Sequence, residues 1–119
     1  MTEPICKTLG NGTKQWWLNY KLHRVDGPAV ESSHNKQWWL NGEKHRIGGP
    51  AIEYSDGYKE WWFNGKLHRI GGPAIEWSSG IKEWWIDDEE HTFEEYLMKL
   101  KELGLEEQVT ELLFRLDEV

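Results

Sequence analysis

The segment KQWWLNG at residues 36–42 decides the fold of this chain, because it returns along the sequence at a fixed spacing. Related segments begin at Lys14, Lys59 and Lys82, and they read KQWWLN, KEWWFNG and KEWWID. A His-Arg pair and a Gly-Pro-Ala-(Val/Ile)-Glu string recur with the same steps. Self-similarity with a period of about 20–50 residues is the signature of a repeat architecture. Three full copies and half of a fourth, each of 22–23 residues, therefore cover residues 13–91.

Each copy predicts two antiparallel strands. The aromatic segment is short and runs into Asn-Gly at residues 41–42 and 64–65, the dipeptide most typical of a two-residue β-hairpin turn. Asp-Gly at residues 56–57 and Ser-Gly at 79–80 mark the opposite turns. With strands of about 5–6 residues, we expect an elongated antiparallel meander of seven or eight strands, with a β-bulge at residues 48–49.

The C-terminal residues predict a helical hairpin that caps this sheet. Thr92 and Glu95 form a capping box at the start of the first helix, and Gly104 predicts its end. A repeat sheet needs an end cap with a polar outer face, and this segment is acidic. We therefore divide the chain into a lead-in at 1–12, the repeat region at 13–91 and an acidic helical cap at 92–119. The cap and the repeats form one folding unit in a mainly β protein.

The string Trp-x-Asn-Gly-Lys-x-His-Arg-x-x-Gly-Pro-Ala-Ile-Glu, present in full at residues 62–76, resembles MORN-type β-hairpin repeats. It is more similar to the MORN-like repeat proteins that bacteriophages and large DNA viruses encode than to the ordinary MORN pattern. The resemblance covers residues 13–91, so it extends over most of the chain. The resemblance implies the β-repeat fold and a viral origin, and it does not imply any activity.

Composition and charge narrow the class of protein further. Nine tryptophans exclude a disordered chain, and a single cysteine, Cys6, cannot form an internal disulfide and fits a reducing cytosol. No apolar run approaches the ~18 residues of a membrane span. We therefore expect a cytoplasmic protein with no membrane partner, in the host cytosol if it is viral. Residues 86–119 carry twelve acidic and three basic side chains, a charge that disfavours extended nucleic acid as a partner.

The paired tryptophans predict two different sheet faces, because successive side chains point to opposite sides of a strand. We expect one face to be the core, formed by Trp16, Trp38, Trp61, Trp84, Leu18, Leu40, Phe63, Ile86, Val25, Ile47 and Ile70. We expect the other face to carry the second tryptophans beside a column of arginines. The candidate ligand-binding residues are Trp17, Arg24, Trp39, Arg46, Trp62, Arg69 and Trp85.

These seven residues support two functional hypotheses. Indole rings stack on bases and guanidinium groups bind phosphate, which favours sequestration of a small anionic ligand, such as a nucleotide immune signal of the host. Tryptophan and arginine also dominate protein interfaces, which favours a scaffold or inhibitor that docks on a host defence protein through the tryptophans or the acidic helices. A structural alternative for the arginines is stacking on Trp62 and pairing with Glu60, or with Glu31 and Glu53 in the earlier copies.

Catalysis is not expected, because an active site needs unlike groups that converge on one place, whereas here one pattern is copied along a sheet. The recurring histidines lie about 10 Å apart in such a sheet and cannot share a metal ion, so we expect no metal or cofactor. The cap is too short to cover the whole apolar face predicted above. We therefore expect a homodimer, the commonest way to cover such a face.

Overall fold

A computed structural model describes residues 3–117 of the chain, and the outermost residues of the lead-in and of the cap lie outside this range. The described chain forms strands and helices in the order β1 (Ile5–Thr8), β2 (Lys14–Leu18), β3 (Lys21–Leu22), β4 (Val30–Glu31), β5 (Asn35–Gln37), β6 (Trp39–Leu40), β7 (Glu43–Lys44), β8 (Ile52–Tyr54), β9 (Lys59–Glu60), β10 (Trp62–Phe63), β11 (Lys66–Leu67), β12 (Ile75–Glu76), β13 (Lys82–Ile86), β14 (Glu89–His91), α1 (Phe93–Glu102) and α2 (Glu106–Asp117).

The strands form one open antiparallel sheet, with β6–β7 and β10–β11 as two-stranded extensions. The molecule measures 46 × 32 × 20 Å, and the predicted fold class, a β-meander followed by a helical hairpin, is confirmed. Strand β1, in the lead-in, adds an edge strand that the repeat pattern did not predict. Type I′ turns close the hairpins, with φ of 49° at Asn41 and 80° at Gly42.

The returning strand of each full repeat is interrupted once. Trp38 donates its N–H to the carbonyl of Ala51 at 2.7 Å, and its own carbonyl accepts from the N–H of His45 at 3.1 Å. His45 and Ala51 therefore both bond to Trp38, and the five residues between them, 46–50, loop out of the strand. We call residues 24–28, 46–50 and 69–73, which share this position, the arginine loops. The predicted one-residue bulge at 48–49 is wrong, because five residues loop out and Gly48 turns the chain at φ 86°.

Side chains of neighbouring strands form ordered rows across the sheet. In one row the first tryptophan of each pair alternates with a fully buried alanine: Trp16, Ala29, Trp38, Ala51, Trp61, Ala74 and Trp84. The next row on that face alternates in charge, through Lys14, Glu31, Lys36, Glu53, Lys59, Glu76 and Lys82. Alternation of large with small and of positive with negative groups favours one register, since a slip brings like groups together.

The buried residues differ from the predicted core. Val25 and Ile47 are 80 % and 79 % exposed, because they lie on arginine loops, and Phe63 is 43 % exposed. The buried positions of the sheet are the alanines above and, on the opposite face, Val30, Ile52 and Ile75. Ile86 of the predicted core is buried, at the C-terminal end, where it packs against the helices in an apolar cluster.

The helical cap forms as the sequence predicts. Thr92 and Glu95 make both hydrogen bonds of the capping box, and Gly104, with φ 78°, comes directly after the C-cap residue Leu103. Tyr96 and Leu100 of α1 and Val109 and Leu112 of α2 are buried against Ile86. In the part of the chain that the structure describes, neither helix has the length and apolar character needed to cross a membrane.

A histidine of each full repeat accepts a hydrogen bond from the hairpin turn of the next repeat. The Nδ1 atoms of His23, His45 and His68 accept hydrogen bonds from the turn N–H groups of Asn41, Asn64 and Asp87, at 2.9, 2.9 and 3.1 Å. An accepting Nδ1 carries no proton, so the ring holds its proton on Nε2. The recurring histidine therefore has a structural role between consecutive repeats.

Replacing His45 with phenylalanine should lower the free energy of unfolding by about 1 kcal/mol, because the ring stays and only the acceptor for Asn64 is lost. Urea denaturation measures the change. His34→Phe is the matched control, since His34 lies exposed in a turn and should leave the unfolding midpoint in place. Equal midpoints for the two variants would contradict the structural role of Nδ1.

Candidate binding surfaces

The arginine loops place each guanidinium over an indole ring. The Cζ atoms of Arg24, Arg46 and Arg69 lie 3.8, 3.7 and 3.8 Å from the ring centroids of Trp16, Trp38 and Trp61. The backbone helps to fix this position, because the N–H of Arg46 donates to the carbonyl of Trp62 in the next repeat, at 3.1 Å. The equivalent bonds run from Arg24 to Trp39 and from Arg69 to Trp85.

Each guanidinium is also paired inside its own repeat. Nη1 of Arg46 donates to the carbonyl of Pro50 at 3.0 Å and to Oε1 of Glu53 at 3.1 Å, and Arg24 and Arg69 make the equivalent bonds. Burial lowers the pKa of Arg69 below its usual value, and the ion pair with Glu76 acts against that shift. The arginines therefore meet carboxylates that the chain itself supplies.

The glycine before each proline leaves space for the arginine. A Cβ atom at Gly49 would lie 2.9 Å from Cζ of Arg46, so a larger residue would push the guanidinium off its ring. The recurring Gly-Pro was the signal in the sequence that a group packs closely against this glycine. The repeat pattern alone did not show that the group is the arginine side chain.

The second tryptophans lie on the opposite face. The indole Nε1 atoms of Trp17, Trp39, Trp62 and Trp85 donate to the side chains two residues earlier, Gln15, Gln37, Glu60 and Glu83. The predicted sharing of one face by these tryptophans and the arginines is therefore wrong, as is the predicted stacking of Arg69 on Trp62. The cause is the excursion of the arginine loop, which carries the side chain over the preceding tryptophan. The alternative pairing with Glu31 and Glu53 is confirmed.

The face of the second tryptophans contains an open groove of about 680 Å³. Its aromatic wall includes Trp39, Tyr54, Tyr58 and Trp77, and its charged groups are Lys44, Asp56 and Glu60. Nζ of Lys44 lies 4.4 Å from the ring centroid of Trp62 and 5.7 Å from that of Trp39. Burial and a hydrogen bond to Glu60 raise the pKa of Tyr58 well above its usual value, so this phenol keeps its proton. We call this groove the tryptophan-face groove.

The sequence reasoning missed three of the side chains in this groove. Tyr54, Tyr58 and Trp77 flank the distal turns, outside the Trp-Trp segments, and they contact one another edge to face with centroids 5.7 and 4.8 Å apart. Their signal was an aromatic residue directly after the Ile-Glu string at positions 54 and 77. The register across the sheet is what brings them beside Trp39.

The arginine loops border two further grooves on the other face. The first, of about 620 Å³, is lined by Val25, Trp38, Leu40, Ile47 and neighbouring residues. The second, of about 380 Å³, lies one repeat later and is lined by Ile47, Trp61, Phe63 and Ile70 among others. The third position in this series holds Trp84 and Ile86, and the helical cap packs there. We call the second of these, between Ile47 and Ile70, the Ile47 groove.

Comparison of the chain with protein-family models, curated proteins and solved structures finds no match. The resemblance to MORN-like repeats and the viral origin therefore stay predictions from the sequence. Function has to be argued from the chemistry of the surfaces described above.

Replacing Arg46 with alanine should destabilise the fold by about 1–2 kcal/mol, through loss of a cation–π contact and of a partly exposed ion pair. Urea denaturation measures this. Lys36→Ala is the control, because Lys36 faces the same Glu53 across the sheet without stacking on an indole. If Arg46→Ala leaves stability unchanged, the arginine is not structural and its place on the ring needs another reason.

Proposed function

We propose that this protein is a non-enzymatic binding module that docks on another protein through the face of its arginine loops. The observation that carries the proposal is the line of exposed apolar side chains on this face, Val25, Ile47 and Phe63. Val25 and Ile47 hold equivalent positions in consecutive repeats, and all three side chains line the two grooves of this face. Contiguous exposed apolar surface of this kind marks interaction sites in proteins.

The electrostatics of this face favour an apolar partner surface over an anion. Each arginine already faces a glutamate at 3.1–3.4 Å, so a bound phosphate would compete with a carboxylate fixed beside the guanidinium. An apolar side chain that enters a groove contacts its indole and aliphatic groups and does not compete with that carboxylate. The same line of residues could pair two copies of the chain, which is how the predicted homodimer would form.

A photo-crosslinking amino acid at position 47, expressed in the natural host cell, tests this function. We expect a specific crosslinked protein, and the purified partner should bind the wild-type protein at least about tenfold more tightly than it binds Ile47→Asp. The control carries the crosslinker, and then the aspartate, at Ile81, which is 63 % exposed and lies at a distal turn. Equal labelling at both positions, or equal affinity of both aspartate variants, would contradict the proposal.

A small anionic ligand, such as a nucleotide, is a second candidate, and the observation in its favour is Lys44. This ammonium group lines the tryptophan-face groove and lies 5.7 and 4.4 Å from the ring centroids of the half-buried Trp39 and Trp62. A base could stack on an indole while a phosphate meets the lysine. The resemblance to viral proteins is the only support for a role of this binding in counter-defence in an infected cell.

Thermal unfolding with a panel of linear and cyclic nucleotides tests the second candidate. A ligand at about one hundred times its Kd should stabilise the wild-type protein by about 2.7 kcal/mol, and Lys44→Gln should remove most of this gain. Lys66→Gln is the control, because it removes the same charge from a lysine that pairs with Phe63 on the opposite face and does not line this groove. A panel that shifts no melting temperature would exclude these nucleotides.

A further inference from the structure

The last repeat shows what covers a groove of this series. Helix α1 places Tyr96 there with no exposed surface, and the ring lies 5.0 Å from that of Trp84. The Tyr96 hydroxyl lies 2.7 Å from the carbonyl of Arg69 and accepts from the N–H of Gly71 at 3.1 Å. One tyrosine thus satisfies backbone groups of the arginine loop that the turn leaves without a ladder partner.

Leucine and valine side chains complete this contact. Leu100, four residues after Tyr96 and therefore on the same helical face, is fully buried, and Val109 and Leu112 of α2 join it. The groove contributes Ile70, Trp84 and Ile86. The contact is an amphipathic helix with a Tyr-x-x-x-Leu stripe laid over an arginine loop.

The Ile47 groove repeats the same receptor surface one copy earlier. Ile47, Trp61 and Phe63 stand 23 residues before Ile70, Trp84 and Ile86. The loop that would meet the phenol is also the same, with Arg46 stacked on its tryptophan at 3.7 Å and Gly48 at φ 86°, against 3.8 Å for Arg69 and 92° for Gly71. The surface that accepts Tyr96 in the last repeat is therefore already formed here.

The two positions differ in what lies above them. A Cβ atom built on Gly71 would meet Oε1 of Gln108 in α2 at 2.8 Å, whereas one built on Gly48 meets no atom of the described chain within 4 Å. Ile47 is 79 % exposed, while its counterpart Ile70 packs against the cap. The Ile47 groove is thus a copy of the helix site without its helix.

The first groove of the series is a poorer copy. Asp26 stands where Gly48 and Gly71 stand in the later loops, and its carboxylate accepts a hydrogen bond from Nε of Arg24 at 3.2 Å. Asp26 lacks the positive φ of those glycines, so the N–H that would meet a phenol is not placed in the same way. The repeat series therefore offers one vacant helix site of the α1 type, at the Ile47 groove.

We propose that the Ile47 groove binds one amphipathic helix of a partner protein, which presents a tyrosine and, four residues later, a leucine as α1 does. This inference rests on the proposed docking function and names the partner surface. The bound helix would continue the layer that the cap begins, because equivalent strands stand about 10 Å apart and packed helices stand about 8–10 Å apart.

A synthetic copy of α1, residues 92–105 with a lactam bridge between Glu95 and Lys99 to hold the helix, is the probe. The labelled peptide is titrated into the full-length protein and its fluorescence anisotropy is measured. We expect saturable binding that Ile47→Asp weakens about tenfold or more, and that a peptide with phenylalanine in place of Tyr96 weakens several-fold. The control Ile81→Asp should bind the peptide as the wild-type protein does.

Three results would overturn the inference. The peptide could fail to bind, or it could bind Ile47→Asp unchanged, which would mean that it exchanges with the resident helix. Sedimentation could show a dimer that Ile47→Asp dissociates, which would mean that a second copy covers the groove. Crosslinking to a partner at position 47 without peptide binding would refute the helix while the docking function stands, and loss of both would refute both.

Discussion

The stack of an arginine on the first tryptophan of each full repeat is the interaction on which the rest of this structure depends. A sheet face rich in indole must be covered, and here each repeat covers its own tryptophan by looping five residues out of the strand. The guanidinium shields the ring, the proline carbonyl and a glutamate satisfy the guanidinium, and the glycine before the proline leaves room for it. An open sheet can therefore persist without a second layer along most of its length.

Ties between consecutive repeats turn these units into one sheet. The arginine N–H, the histidine Nδ1 and the ladder bonds each reach into the next copy, and the rows of tryptophan with alanine and lysine with glutamate fix the register. Each repeat contacts chiefly its neighbours, as in other repeat proteins. Such a chain needs a special contact only at its ends, which are formed by β1 on one side and the helical cap on the other.

The cap shows that a surface which stabilises the fold in the last repeat is left uncovered in the repeat before it. At Trp84 and Ile86 the groove is filled by Tyr96, Leu100 and the second helix, and these residues form a buried apolar cluster. One repeat earlier the walls are equivalent, with Phe63 in the place of Ile86, and Ile47 and Phe63 are exposed. Because the unit repeats, a counterpart of the surface on which the cap packs is also present, uncovered, one repeat earlier.

The sequence by itself determined the repeats, the hairpin turns, the capping box and the end of the first helix, because these depend on spacing and on the local preferences of Asn-Gly, Thr and Gly. It did not determine which side of the sheet each arginine would cover. Alternation along a strand gives the face of Trp62, but Arg69 follows a break in the strand, and a loop can carry its side chain to either side. Only the tertiary structure decided this. The guanidinium binds where the first tryptophan ring, the proline carbonyl and the glutamate carboxylate of the repeat come together, and these three groups are separate in the sequence.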